Sequence, residues 1–233
     1  MNANVWPKWS CALKPSNRVW TPAFIAGLLL WAAAAQAATV IAFRGEASVQ
    51  RGGQTVPVRA GTGFQDADEL VTGPGAEVLV RFEDEARMVV RPDSRLELRQ
   101  LLRKDELQRQ QKIAVVKGGL RYLSGAKTDR RQVVFTSAHV TIGIRGTDIE
   151  IALDETGASS NPPGTYLKVN SGIAVLTGLD GTAVELAPGE VALGSEAELT
   201  PRGTRSIRRP SARKLEAAPA SLFQAGTLDS LLR

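Results

Sequence analysis

Cysteine, histidine and tryptophan are nearly missing from this sequence. It contains one cysteine, Cys11, one histidine, His139, and four tryptophans, and neither cysteine nor tryptophan occurs after residue 31. A scaffold held by disulfides and a zinc site built from cysteine and histidine are therefore excluded. The sequence also lacks a G-x-S-x-G turn, a phosphate-binding loop and a dinucleotide fingerprint. We therefore expect a protein without catalytic residues, a bound metal or a cofactor.

The first 37 residues differ in composition from the rest of the chain. They carry no acidic residue, and an apolar stretch at 23–35 ends in the small-residue sequence AQA. Their basic residues are Lys8, Lys14 and Arg18. This order is typical of a secretory signal peptide, and the apolar stretch is shorter than the roughly 20 residues of a membrane span. We expect residues 1–37 to be removed from a periplasmic protein that has no membrane span. The alternatives are an uncleaved anchor, or release to the cell surface or medium.

The charge balance gives little support to a nucleic-acid partner, and we expect none. The chain has 29 basic and 24 acidic residues, and loss of the leader removes three of the basic ones. An acid-free basic stretch at 201–214 has no aromatic side chain that could stack on bases. We interpret residues 196–233 as a basic linker followed by a short amphipathic tail. Contact of this region with lipid head groups or with an acidic partner is the alternative.

Short runs of alternating apolar residues fill the chain between leader and linker. Glycine-rich turns separate them, among them RGGQ at 51–54 and LDGT at 179–182. The runs include Ala47/Val49, Val78/Val80/Phe82, Met88/Val90, Val133/Phe135, Val140/Ile142/Ile144, Ile173/Val175 and Val191/Leu193. This spacing is typical of half-buried strands. We predict one all-β domain over residues 38–195, built as a solenoid-like stack or a twisted β-sandwich.

The segment at 96–116 is ambiguous between helix and strand. It contains good helix formers, and a single helix over 98–112 is one interpretation. Leu96/Leu98 and Ile113/Val115, however, alternate on either side of a polar middle. We therefore favour a long strand–turn–strand arm.

Two acidic groups occur where turns are expected, QDADEL at 65–70 and FEDEA at 82–86. Neither has the ligand spacing of a calcium-binding loop, and we predict solvated turn residues. His139 shares a predicted strand face with Ser137 and Thr141. Neighbours on one strand face lie about 6–7 Å apart, which is too far for a nucleophile–base hydrogen bond.

The motif VTIGIRGTDIEI at 140–151 changes the phase of its alternation. Large apolar residues occupy even positions up to Ile144 and odd positions from Ile149. A bulge or corner produces such a slip, and Gly146 is the expected pivot. We predict a structural role for Arg145, which can bind carbonyls or a carboxylate at the corner with its five donors.

The other residues of the motif are expected to support the corner. Gly143 would permit close packing, and Thr147 and Asp148 would bind locally to freed backbone groups. The structural motif, which is also a possible partner contact, consists of Gly143, Ile144, Arg145, Gly146, Thr147 and Asp148.

Several of these pieces, in this order, resemble the FecR domain family. The matching elements are Gly61 and Gly63, Asp68 to Gly73, Phe82 to Glu85, Pro92 to Ser94, VKGGLRY at 116–122, TIGIRGTDIEI, and a closing repeat at 167–193. The resemblance covers about residues 40–195, and GIRGT is its most specific part. Asp84-Glu85 departs from the family, which often has Asp-Gly there.

The resemblance implies a protein-binding role. The founding members of the family are transmembrane regulators with a cytoplasmic anti-sigma region. Because a leader precedes the β domain here, we expect an exported module without that region. Its expected function is non-catalytic protein–protein interaction in envelope signalling or assembly, with an oligomeric state left open. The alternatives are a structural, adhesive or glycan-binding surface protein, and an enzyme with a carboxylate pair that the sequence does not reveal.

Overall fold

The computed structural model describes residues 37–101, 110–125, 132–157, 161–196 and 210–232. The predicted leader, apart from Ala37, lies outside these residues, as do the polar middle of the 96–116 arm and most of the basic linker. The described chain is almost entirely β-structure, which confirms the all-β prediction.

Fifteen strands and one short 3₁₀ helix make up the described structure. The strands are β1 Ala38–Arg44, β2 Ala47–Arg51, β3 Gln54–Pro57, β4 Gly63–Phe64, β5 Asp68–Thr72, β6 Glu77–Phe82, β7 Arg87–Val90, β8 Arg95–Gln100, β9 Gln110–Leu123, β10 Gln132–Thr136, β11 Val140–Asp154, β12 Gly164–Gly178, β13 Ala183–Leu186, β14 Val191–Glu196 and β15 Pro210–Leu215. The 3₁₀ helix is Thr227–Leu232. None of the helices among these residues is long and apolar enough to span a membrane.

All fifteen strands belong to one mixed sheet that bends over itself. A first layer runs β3-β2-β5-β8-β9-β10-β11-β12-β13, and a second runs β4-β1-β6-β7-β9-β11-β12-β14-β15. Strands β9, β11 and β12 are long enough to belong to both. Nearly all pairings are antiparallel and β9–β10 is parallel, so the predicted all-β fold takes the form of one open mixed sheet.

The core lies between the two layers. Strand alternation places one apolar face of each layer inward, and the buried side chains of both layers form one continuous cluster. Phe135 on β10 meets Tyr122 on β9 edge-to-face, with ring centroids 5.2 Å apart. Phe82 on β6 lies 6.0 Å from the same tyrosine. These aromatic rings join the layers.

The 96–116 arm has the predicted strand–turn–strand form at both described ends. Strands β8 and β9 pair antiparallel, with Leu96 opposite Val115. Leu96, Leu98 and Ile113 are fully buried. The alternation of apolar residues therefore outweighs the helix propensity of the segment, because burial stabilises more than local preference does.

The prediction of solvated acidic turns is wrong for two residues. Asp68 and Asp84 are both 1% exposed. Arg51 on β2 donates from Nε to Asp68 Oδ1 at 2.7 Å, and this hydrogen bond raises the pKa of Arg51. Asp84 accepts from the Ala86 backbone N–H at 3.1 Å and so closes the β6–β7 turn. These carboxylates stabilise turns from inside the protein.

The C-terminal region is more structured than a linker and tail. Within the predicted basic linker, Pro210–Leu215 forms β15 and pairs antiparallel with β14. Lys214 donates to Glu190 at 2.7 and 2.8 Å, which lowers the pKa of Glu190. The linker prediction is therefore wrong for residues 210–214. Charged side chains mislead here because they are also typical of edge strands.

Candidate interaction site at the β11 corner

Strand β11 contains the bulge that its sequence predicts. Up to Arg145, each residue pairs in register with β12, where Arg145 faces Ile173. The register then shifts by one residue, so that Asp148 faces Ser171, and it shifts back at Ile149, which faces Val169. Gly146 lies between the two registers with φ +59°, a left-handed conformation that glycine adopts without strain. The phase change in the sequence is thus a β-bulge pivoting on Gly146.

The bulge is also the corner between the two layers. Before it, Val133–Thr136 of β10 pairs with β11; after it, Gly118–Leu123 of β9 does so. The strand therefore exchanges one neighbour for another at this point. The strand changes direction at this point. A slip of one residue keeps its apolar side chains directed at the same core on both sides of the corner.

Gly143 and Ile144 lie ahead of the bulge on this strand. A Cβ placed on Gly143 would meet nothing within 4 Å, so the prediction that this glycine permits close packing is wrong. Ile144 is half-buried and packs against the main core.

Thr147 and Asp148 do not bind locally as predicted. The backbone N–H of Thr147 donates to Ser124 Oγ at 3.0 Å, and the Ser124 N–H donates back to the Thr147 carbonyl at 2.9 Å. The Asp148 carboxylate accepts from Arg121 on β9, at 2.9 Å from Nε and 2.6 Å from Nη2. Thr147 therefore fixes the corner to the segment that follows β9, and Asp148 fixes it to β9 itself.

Arg121 takes the structural role that the sequence suggested for Arg145. Its two-point hydrogen bond to Asp148 is the main cause of a raised pKa, which nearby Asp229 and Glu150 raise further. Asn170 on β12 also donates to Asp148, at 3.2 Å. The carboxylate of the motif is thus held from both neighbouring strands.

Arg145 is exposed at the apex of the corner. No hydrogen bond or ion pair joins its guanidinium to another residue in the described part of the chain. The prediction that it binds carbonyls or a carboxylate is therefore wrong. Opposite it, Ile173 is 47% exposed, and Ser171 is exposed as well. We call Arg145, Ser171 and Ile173 the corner patch.

A cluster of charged and polar residues, called the charged cluster below, covers the outer face of the second layer beside the corner, and sequence reasoning missed it. Its members are Arg91, Arg121, Asp148, Glu150, Lys168 and Asn170. Lys168 donates to Glu150 at 3.0 Å, and Asn170 donates to the same oxygen at 3.0 Å. The signal was present as polar residues at alternate positions of β11 and β12, but their pairing depends on the register.

The hydroxyl of Thr165 lies between the Ser137 hydroxyl and the His139 ring. His139 lies in a bend between β10 and β11. The predicted strand position of this residue is therefore wrong. His139 Nδ1 is 3.2 Å from Thr165 Oγ1, which is 2.8 Å from Ser137 Oγ. Ser137 Oγ accepts the backbone N–H groups of His139 and Val140. This serine therefore shapes a turn. No three histidine, cysteine or acidic side chains cluster as a metal site within the described ranges.

Comparisons with known proteins find one family. The family model described as FecR protein matches residues 68–178, which include the whole corner motif. No curated protein sequence matches the chain. Two crystal structures of a "putative anti-sigma factor" from Parabacteroides distasonis, at 2.50 and 1.65 Å resolution, each align with a TM-score of 0.47 and 10% identity. Each alignment covers 65% of this chain and 61% of that chain, and this similarity is too low to support an inference about function.

Proposed function

Because this chain contains a FecR domain over residues 68–178, we propose that it is a non-catalytic module that binds another protein in signalling at the cell envelope. The family match supports a regulatory role. The leader-like composition of residues 1–37 supports an exported, periplasmic location as part of the proposal.

The observation that carries the proposal is the state of Arg145. It belongs to the most specific motif of the family, yet its side chain is exposed and engages no other described residue. The backbone that follows Arg145 is held in place, because Asp148 is bound to Arg121 and Thr147 is bound to Ser124. An arginine next to an exposed isoleucine on a fixed scaffold suits a protein interface, where arginine is a common hot-spot residue.

Site-specific cross-linking in the native host tests this proposal. A photo-reactive residue is placed at Ile173, and Gln54, an exposed strand residue outside the family match, serves as the control position. We expect one partner to be captured from Ile173 and not from Gln54. Arg145→Glu should abolish the capture while the far-ultraviolet circular dichroism and the melting temperature stay unchanged.

Two results would count against it. If Arg145→Glu is captured as well as the wild-type chain, the corner patch is not the contact. If the photo-reactive residue at Ile173 captures no protein from the wild-type chain, the partner-binding function itself loses its support. Fractionation of cells that express the chain with and without residues 1–37 tests the periplasmic location separately.

A further inference from the structure

The C-terminal segment, residues 219–232, lies across the outer face of the second layer. Leu232 is 3% exposed and packs against Leu79 and Val89, which belong to β6 and β7. Further back in the segment, Phe223 packs against a second apolar group on β11, β12 and β14. The segment therefore covers apolar surface that faces away from the main core.

An ion pair connects the same segment to the charged cluster. Arg91 donates from Nη1 and Nη2 to the two carboxylate oxygens of Asp229, each at 2.9 Å. Arg121 Nη1 lies 3.6 Å from Asp229 Oδ2. The side chains of Arg91 and Asp229 are 15% and 10% exposed. Two arginines thus bind one carboxylate where little of the ion pair is exposed to solvent. A two-point contact is most selective in such surroundings.

The backbone of the segment is recognised as well. Glu77 accepts the N–H groups of Thr227 and Leu228 at 3.0 and 2.9 Å. A Cβ placed on Gly226 would lie 2.0 Å from Arg91 Nη1 and 2.4 Å from Glu77 Oε1. The chain therefore passes so close to this charged pair that a side chain at position 226 would displace it.

Few buried apolar side chains hold the segment, and polar contacts supply most of its attachment, including hydrogen bonds that Arg44 and Arg87 donate to Thr227 and Leu231. Leu232 is its one buried residue among 219–232, and Leu231 is 47% exposed. Segments with few buried contacts open locally at low cost in free energy.

The sheet face under the segment is apolar at Leu79 and Val89, which pack against Leu232, and positively charged at Arg91, which pairs with Asp229. Opening would expose apolar surface and leave Arg91 without its two-point carboxylate partner, so another segment of the same chemistry would be favoured there.

We propose that this outer face is a binding site for a segment of a partner protein that presents an acidic residue among leucines, and that the C-terminal segment occupies the site until the partner displaces it. Arg91 and Arg121 receive the acidic residue, and Leu79 and Val89 receive the leucines. The site is separate from the corner patch, so it does not depend on the function proposed above.

A cleavable chain tests whether the face accepts a segment in trans. A protease site is inserted at Glu216-Ala217, an exposed bend before the segment, so that the whole chain folds before it is cut. A labelled peptide of residues 219–232 is then titrated against cut and uncut chain by fluorescence anisotropy. We expect binding to the cut chain and not to the uncut chain. The Asp229→Asn peptide should bind at least about tenfold more weakly.

The other outcomes of this experiment overturn the proposal. Loss of the β-sheet circular dichroism spectrum on cutting would mean that the segment is an integral part of the fold. Equal binding of the two peptides would show that the carboxylate is not recognised. Absence of binding to the cut chain would remove the site. Dimers of the uncut chain that exchange their segments would identify a second copy as the occupant.

Peptide display identifies the preferred ligand without assuming the chain's own sequence. The target is the uncut chain with Asp229→Asn and Leu232→Ser, which weaken the bound segment but leave the face intact. We expect selected peptides to carry an acidic residue flanked by leucines and to compete with the 219–232 peptide. Arg91→Gln in the target should abolish selection, whereas Arg99→Gln on β8 should not. Selected peptides without an acidic residue, or equal effects of the two substitutions, would refute the assignment.

Discussion

Arg121 and Arg145, the two arginines beside the corner, differ in exposure and in their hydrogen-bond partners. Arg121 is bound at two points to Asp148, whereas Arg145 is exposed and engages none of the other described residues. We expect Arg121→Ala to lower the free energy of unfolding by about 1–2 kcal/mol, because it leaves a half-buried carboxylate without its main donor.

Arg145→Ala is the matched control. Its effect should stay within about 0.5 kcal/mol, as for surface residues without specific contacts. Urea unfolding followed by circular dichroism gives both values. Equal destabilisation by the two substitutions would restore a structural role to Arg145.

Tyr122 is a second residue whose surroundings predict a measurable effect. Its side chain is fully buried, and its hydroxyl has no hydrogen-bond partner among the described residues. We expect Tyr122→Phe to be neutral or to stabilise the protein by up to about 1 kcal/mol, because it removes a buried polar group that is not paired. Chemical denaturation at neutral pH measures this.

The same tyrosine makes stability depend on alkaline pH. Burial, and then the nearby charge of Asp84, raises the pKa of Tyr122 above its ordinary value of 10.0. The unfolded chain loses this proton first, so stability is fully present below pH 10 and falls as the pH rises towards the folded-state pKa. Tyr122→Phe should flatten that fall. An unchanged alkaline slope in the variant would contradict this account.

Sequence reasoning succeeded at Gly146 and failed at Arg145 for one physical reason. A phase slip in alternation is local, so the bulge and its pivot can be recognised from a dozen residues. Whether an arginine is bound depends on residues distant in sequence. Asp148 is bound by Arg121 from β9 and by Asn170 from β12, and no local pattern selects them over Arg145.

The two glycines of the motif have different backbone conformations, because one lies in the bulge and the other in a regular part of the strand. Gly146 has a positive φ, whereas Gly143 lies in ordinary strand backbone with open space at its Cβ position. We expect Gly146→Ala to cost about 1 kcal/mol and Gly143→Ala to be neutral or slightly stabilising. Thermal unfolding of the two variants checks this. A larger loss from Gly143→Ala would place the strain elsewhere in the strand.

The strands themselves were largely predictable, and their pairing was not. Alternation identified the paired ends of the 96–116 arm because inward residues such as Leu96 and Ile113 must be apolar. The parallel pairing of β9 with β10 and the addition of β15 to β14 join segments whose contact is decided by the whole core. The buried Asp68 was missed for the same reason, since its partner Arg51 is on another strand.

The two layers share one core, and this determines how the whole molecule should unfold. Phe135 and Tyr122 belong to different layers and touch across the core. We expect Phe135→Ala to lower the free energy of unfolding by about 3–5 kcal/mol, through a cavity that both layers line. Unfolding should remain a single transition.

Hydrogen exchange measures this cooperativity. Amides of β5 in the first layer and of β14 in the second should lose protection by the same amount in Phe135→Ala. Protection that is lost in one layer alone would show that the layers unfold independently. Export stays a prediction from the leader sequence, and binding to a partner stays a prediction from the family match.

The position of the C-terminal segment also has a consequence in time. The strands that form the face under the segment have all been synthesised by Glu196, at the end of β14. Asp229 and Leu232 follow about 30 residues later. A new chain therefore passes through a stage at which its arginines and apolar floor are complete but uncovered. A partner present during that stage would meet no competitor.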